Sequence, residues 1–132
     1  MSTPLLKSIE NEDFSLAEKL IKENQFDSAF LDKKDFTGIT ALMLATFINN
    51  IELVKLLIEA KADINIKDSQ GSTSVIIGSQ NNSTQSVLYL IQQHETDLDY
   101  KDGNGKGIED WAKINKNVEI LRKVSYRRLR GY

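Results

Sequence analysis

The fold is decided by residues 35–67, which read DFTGITALMLATFINNIELVKLLIEAKADINIK. The pattern returns 33 residues later, where Asp35-Phe-Thr-Gly38-Ile-Thr40 matches Asp68-Ser-Gln-Gly71-Ser-Thr73. The spacing then becomes 34, consistent with one extra residue near Glu95, and a third copy starts at Asp102. A repeat of this length predicts stacked units that share one continuous core.

Each copy has the residue types of a tight turn followed by two helices. A glycine stands where the turn needs a positive φ, and an aspartate three residues earlier can accept bonds from the turn's amides. These glycines are Gly38, Gly71 and Gly105. Thr40 and Thr73 are expected to cap the first helix of their copies, whereas Gly107 has no side chain for this role.

The second copy is expected to be weaker than the first. Its helix-connecting stretch, residues 79–86, is entirely polar, and Gly78 costs helix stability of about 1 kcal/mol relative to alanine. Asn49 and Asn82 stand between the two helices of their copies, where a left-handed backbone is expected.

Residues 35–67 resemble a complete ankyrin repeat, with Asp-x-x-Gly-x-Thr-Ala-Leu-x-Leu-Ala, then Ile-Glu-Leu-Val-Lys-Leu-Leu-Ile-Glu-Ala, then Ala-Asp-Ile-Asn. The resemblance implies an all-α ankyrin-repeat solenoid of about four helix–turn–helix units with β-turn or hairpin tips. The chain is then a single domain made of an N-terminal capping unit (1–34), two repeats (35–67 and 68–101) and a C-terminal capping unit with a basic tail (102–132).

The match to the family's Thr-Pro-Leu-His signature is incomplete. Ala41 and Met43 stand in the signature of one copy, and Ser74 and Ile76 stand in that of the next. The resemblance therefore implies the same stacking, but without the hydrogen bond that the family's histidine supplies.

Ankyrin proteins hold their partners with the turn tips and the exposed side of the first helices, along the concave face. Carried over by register, this implies partner-binding positions in all three copies: Phe36, Thr37, Ile39, Phe47 and Ile48; Ser69, Gln70, Ser72, Gln80 and Asn81; Asn104, Lys106 and Ile114. Binding is the preferred interpretation for Phe36 and Ile39, because exposed apolar clusters mark interaction sites. For Phe47 and Ile48, packing against the N-terminal cap is equally open.

No residue pattern predicts catalysis, a metal site or a cofactor. The single histidine, His94, lies beside acidic residues of a turn without converging ligands. The glycine-rich stretch 103–107 lacks the spacing of a phosphate-binding loop, and Trp111 matches core positions of the other copies. An enzyme is therefore not expected.

Charge and composition restrict the classes of molecule that the chain is expected to bind. The chain has no cysteine and a net charge of −2, but the tail from Arg122 to Arg130 holds five basic residues and no acid. The remaining 12 basic residues face 19 acidic ones, so the rest of the chain carries −7 and nucleic acid is not an expected partner. No membrane span or signal segment is evident. A monomer is expected, either cytoplasmic or a secreted effector.

Two functional hypotheses follow from the repeat. The first is a protein–protein interaction module that binds a protein partner through its turn tips and concave helix face. The alternative is a small bacterial or pathogen inhibitor, immunity protein or effector that blocks one enzyme or host protein. A third hypothesis is that the basic tail binds an anionic surface. The alternative is a structural role, in which the tail's cations interact favourably with the C-terminal end of the helix dipole.

Overall fold

The computed structural model describes residues 2–130, and within that range the chain has nine α-helices and no β-strand. In chain order these are α1 (Pro4–Glu10), α2 (Phe14–Glu23), α3 (Ser28–Leu31), α4 (Ala41–Phe47), α5 (Ile51–Glu59), α6 (Ser74–Gln80), α7 (Thr84–Gln92), α8 (Ile108–Ile114) and α9 (Val118–Arg130). Met1, Gly131 and Tyr132, which the sequence assigns to the two capping units, lie outside the described residues.

The helices stack in two rows, which confirms the predicted all-α solenoid. The first helices of the four helix pairs, α1, α4, α6 and α8, pack each against the next, and so do the second helices, α2, α5, α7 and α9. An apolar core runs through both rows from Leu5 to Val124. Stacking supplies this core because a single helix pair cannot bury its apolar face alone.

The predicted turn tips are confirmed, and they pack directly on one another. Asp35 Oδ1 accepts hydrogen bonds from the amides of Thr37 at 2.8 Å and Ile39 at 3.0 Å, around Gly38 with its φ of +85°. The amide of Ser69 in the next tip donates to the Thr37 carbonyl at 3.0 Å. A Cβ on Gly38 would lie 2.9 Å from that Ser69 nitrogen, so the stack as well as the turn requires glycine. The aspartates of the next two tips make equivalent bonds: Asp68 and Asp102.

The turns between paired helices contain a left-handed residue in every unit. Asn49 and Asn82 have φ values of 58° and 60°, as predicted. Glu12 and Lys116 hold the equivalent positions with φ values of 58° and 56°, although glutamate and lysine rarely adopt this conformation. Asn49 also ties its unit to the next one, because its Oδ1 accepts from the amide of Ser86 at 3.1 Å and from its hydroxyl at 2.8 Å.

The helix caps differ from the prediction in the second copy. Thr40 accepts from the Met43 amide at 3.3 Å and caps α4 as expected. The predicted cap at Thr73 is wrong, because its buried hydroxyl has no hydrogen-bond partner among residues 2–130. In the third copy Asp110 accepts from the Gly107 amide at 2.8 Å, which offsets the missing cap there.

The polar stretch of the second copy combines buried serines with exposed asparagine and glutamine side chains. Ser79, Ser83 and Ser86 are buried. The Ser79 hydroxyl donates to the Ile108 carbonyl at 2.7 Å, and that of Ser83 to the Phe47 carbonyl at 3.3 Å. These residues therefore form a hydrogen-bonded seam between units, which the polar composition did not predict.

The change in repeat spacing coincides with a change in how the second helix ends. After α5, Ala60 is helical and Lys61 follows with a φ of 75°. After α7, Gln93 is already extended, with a ψ of 123°. The extra residue near Glu95 therefore lies in a differently shaped connection to the third copy.

Candidate partner-binding surfaces

Phe36 projects from the first turn tip with 87% of its surface exposed. The backbone beneath it is held firmly, since the Thr37 hydroxyl also donates to Asp35 Oδ1, at 2.7 Å. Partial burial opposes ionisation of Asp35, but the hydrogen bonds from Thr37 and Ile39 outweigh it and lower the pKa of this carboxyl. The tip thus presents a large aromatic side chain on a preorganised turn, which reduces the entropy lost on binding.

The position after each tip glycine is less accessible than the register suggests. Ser72 is only 5% exposed, so its prediction as a surface contact is wrong; its amide and carbonyl both bond Asp68 and close the turn. Ile39 is half-buried and packs against the core. Lys106 is half-buried too, with its ammonium 5.8 Å from the centre of the Trp111 ring.

Trp111 itself packs partly against the core, in agreement with its register. Its indole N–H donates to Asp102 Oδ2 at 3.0 Å. The third tip is thereby fastened to α8, so this tryptophan serves the fold rather than an exposed contact.

The other two tips expose polar side chains only. Ser69, Gln70 and Asn104 are exposed. The Gln70 carbonyl accepts from the Gly103 amide at 2.8 Å, which continues the stacking of tips seen between the first two copies. We call the exposed tip residues the tip patch: Phe36, Thr37, Ser69, Gln70 and Asn104.

The remaining predicted positions lie at the C-terminal ends of the first helices. Phe47 is 53% exposed and Ile114 is 56% exposed, and the exposed Gln80 holds the same register between them. Ile48 and Asn81 are also exposed. This second group is separated from the tip patch by α4, whose seven residues span about 10 Å, so the structure divides the predicted site into two surfaces.

Packing against the N-terminal cap covers Phe47 and Ile48 only in part. Ile9 is fully buried and Phe14 half-buried at the N-terminal cap, yet Phe47 and Ile48 retain large exposed fractions beside them. The four residues lie along an open groove of about 770 Å³ between the helix turns of the first two units. We call it the end groove, and its lining is Ile9, Glu10, Glu12, Phe14, Leu44, Phe47, Ile48, Asn49, Asn50, Ile51, Glu52 and Gln85.

Several lining residues of the end groove were not singled out from the sequence. Leu44 and Ile51 fit the apolar pattern of helix packing, but both are only half-buried and border the groove. Glu10, Glu12 and Glu52 are exposed around it. Aligning the N-terminal unit with the repeats places Glu10 at the register of Phe47, which is the signal that could have found it.

A family model of ankyrin repeats, in three copies, matches residues 3–102. The chain belongs to the ankyrin-repeat family. Ankyrin repeats are protein–protein interaction modules, and the family is generally non-enzymatic.

Segments similar to this chain occur in very different proteins. The chain is 28% identical over 106 residues to alpha-latrotoxin-Lg1a of Latrodectus geometricus, covering 80% of this chain and 8% of the toxin. It is 31% identical over 85 residues to NF-kappa-B inhibitor alpha of Gallus gallus, covering 64% and 27% respectively. A putative ankyrin repeat protein of Rickettsia bellii (strain RML369-C) is 29% identical over 97 residues, covering 74% and 14%. The chain therefore spans much less than two thirds of the relatives it matches.

His94 and the acidic side chains near it lie in a turn of the ankyrin stack. Among residues 2–130, no group of three or more histidine, aspartate or glutamate side chains converges on a possible metal position. His94 is exposed, with Nδ1 3.8 Å from Glu95 Oε1. Asp97 Oδ1 accepts from the Asp99 amide at 2.7 Å, which is turn chemistry. The stretch 103–107 forms the third tip.

The basic tail lies on α9, and two of its arginines bind the ankyrin stack itself. Arg127 is buried, with Nη2 donating to the His94 carbonyl at 2.7 Å. Arg128 pairs with Glu109 at 2.8 Å and with Asp99 at 2.9 Å, and these bonds raise its pKa. A structural role is therefore favoured for both. No helix within residues 2–130 combines the length and apolar character needed to cross a bilayer.

Proposed function

We propose that this ankyrin-repeat chain binds a protein partner through its tip patch and the exposed ends of its first helices. The observation that carries the proposal is the exposure of large apolar side chains, above all Phe36, at positions that the repeat leaves free of packing. Solvent disfavours such side chains, and aromatic residues are frequent anchors of protein interfaces.

The contact set differs between the two surfaces. At the tips, Phe36 is the apolar anchor, and the polar members of the tip patch offer hydrogen bonds around it. At the helix ends, apolar and amide side chains provide the contact area: Phe47, Ile48, Gln80, Asn81 and Ile114. Ile39 and Lys106 are half-buried beneath the tips, and the exposed part of each side chain adds to the proposed contact with the partner.

The proposal is tested by substituting the tip anchor and measuring partner recovery. We expect Phe36→Ala to reduce recovery of a native partner from lysate by about tenfold, because truncating an interface anchor commonly has this effect. Leu129→Ala is the matched control, since Leu129 is 86% exposed but lies on α9 and not in a turn tip. Equal recovery with both variants, each shown to be folded by circular dichroism, would count against the tip patch.

A second candidate function is inhibition of one specific protein. The support is the similarity to NF-kappa-B inhibitor alpha, whose name describes an inhibitor. In this case the chain would co-purify with one stoichiometric partner whose activity falls when the chain is added back. A partner that retains its full activity in the complex would exclude this candidate.

A further inference from the structure

The end groove combines an apolar floor with one sign of charge. Phe14, Leu44 and Ile51 are half-buried along it, and Phe47 and Ile48 keep 53% and 40% of their surfaces exposed. Adjoining apolar side chains that stay open to water offer a surface that the apolar side chains of a partner can cover.

The charged side chains of the groove are all acidic. Glu10, Glu12 and Glu52 are exposed around the apolar floor, and no lysine or arginine is among the lining residues. A basic segment would gain favourable electrostatic interactions here, whereas an acidic one would be repelled.

The corresponding depression at the other end of the stack lacks this combination. The equivalent depression between the last two units is lined by Asn82, Thr84, Asn115, Lys116, Asn117, Val118 and Glu119. It has one apolar side chain and charges of both signs, so the register alone does not create the end groove.

We propose that the end groove binds an amphipathic segment of a partner protein, with apolar side chains on one face and lysine or arginine beside them. The inference rests on the proposed function and specifies the chemistry of one partner. The apolar side chains of the segment pack between Phe14, Phe47 and Ile48, while its cations lie near Glu10, Glu12 and Glu52.

The test uses the full chain and a fluorescein-labelled helical peptide of leucine and lysine, with the leucines along one face. We expect saturable binding by fluorescence anisotropy that weakens when NaCl rises from about 50 to about 300 mM, because salt screens exposed charges. The same peptide with glutamate in place of lysine should bind at least about tenfold more weakly.

Two pairs of variants distinguish binding in the end groove from nonspecific binding of the peptide elsewhere on the chain. Phe47→Ala and Glu52→Lys should each lower the affinity for the lysine peptide by about tenfold. Val118→Ala and Glu119→Lys are matched controls, because Val118 is 54% exposed and both residues line the depression between the last two units instead of the end groove, and they should leave binding unchanged. Glu52 is exposed, so Glu52→Lys tests the groove even if Phe47→Ala perturbs packing.

Three outcomes would overturn the inference. These are absence of peptide binding, equal affinity for the two peptides, and equal losses in groove variants and controls. Sedimentation of the chain alone provides a further check: concentration-dependent association abolished by Phe47→Ala would identify a second copy as the occupant instead. Recovery of a native partner that depends on Phe36 can succeed while the peptide test fails, so failure of this inference is distinguishable from failure of the proposed function.

Discussion

Thr40 and Thr73 hold the same position in successive repeats, but their hydroxyl groups are expected to affect stability in different ways. Their backbone angles are nearly the same, with φ and ψ of −102° and 167° for Thr40 and −92° and 172° for Thr73. The Thr40 hydroxyl accepts from the Met43 amide, whereas that of Thr73 is buried without a partner in the described chain. A buried hydroxyl that lacks a hydrogen bond has lost its water without compensation.

Substituting each threonine by valine should therefore give different results. We expect Thr40→Val to lower the free energy of unfolding by about 1 kcal/mol, the usual cost of a lost helix cap. Thr73→Val should leave it unchanged or raise it, because valine has a similar shape and no hydroxyl to desolvate. Urea unfolding followed by circular dichroism measures both, and an equal loss in the two variants would contradict the assignment.

The contact of α6 with α7 depends on a residue that looks unfavourable for a helix. Gly78 lies within α6, where the sequence alone predicts that alanine would be better. A Cβ at this position would lie 2.5 Å from Val87 Cγ2 and 2.8 Å from Thr46 Cγ2, and both of these side chains are fully buried. Close packing between three helices therefore requires the absence of a side chain.

We expect Gly78→Ala to lower the free energy of unfolding by about 1 to 3 kcal/mol, as overpacking of a core does, rather than to raise it by the gain in helix propensity. A double-mutant cycle with Val87→Ala checks the cause. Removing the Val87 methyl groups should make Gly78→Ala less costly, since the two positions share one space. Additive effects in the cycle, measured by urea unfolding, would show that the clash is not responsible.

At the scale of the whole molecule, carboxylates hold the tips and helix starts in place. Hydrogen bonds to the carboxylates of Asp35 and Asp102 outweigh the effect of burial and lower their pKa values below the ordinary 3.8. The Gly107 amide has the same effect on the pKa of Asp110. Asp32 behaves in the opposite way, since burial raises its pKa.

These shifts predict a loss of stability in acid. A group whose pKa is lower in the folded state stabilises the fold fully above its unfolded value, here 3.8, and this contribution disappears as the pH falls through the folded pKa. Asp32 offsets part of it, because its protonation in acid relieves an unfavourable buried charge. The free energy of unfolding should therefore fall below about pH 4.

Urea unfolding at a series of pH values measures this dependence. Asp102→Asn should be less stable than the parent at neutral pH and should lose less stability in acid, because one of the shifted carboxyls is gone. A parent protein that is equally stable at about pH 3 and at neutral pH would contradict the assignment of these three carboxylates.

The sequence by itself determined the repeat, the tips and the left-handed turns at Asn49 and Asn82, because these depend on local chemistry. A positive φ favours glycine or asparagine, and an aspartate bonds amides only a few residues away, wherever the unit stands in the stack. Glu12 and Lys116 escaped prediction because their side chains do not favour the conformation that the helix pair imposes on them.

Only the tertiary structure decided which side chains meet solvent. Ser72 is buried, Phe47 and Ile48 are exposed, and Glu10, Glu12 and Glu52 surround the same groove, because exposure depends on the neighbouring units as well as on the residue's own register. Close packing between stacked helices is a property of pairs of surfaces, so it also decided that Gly78 is required and that Thr73 lacks a partner.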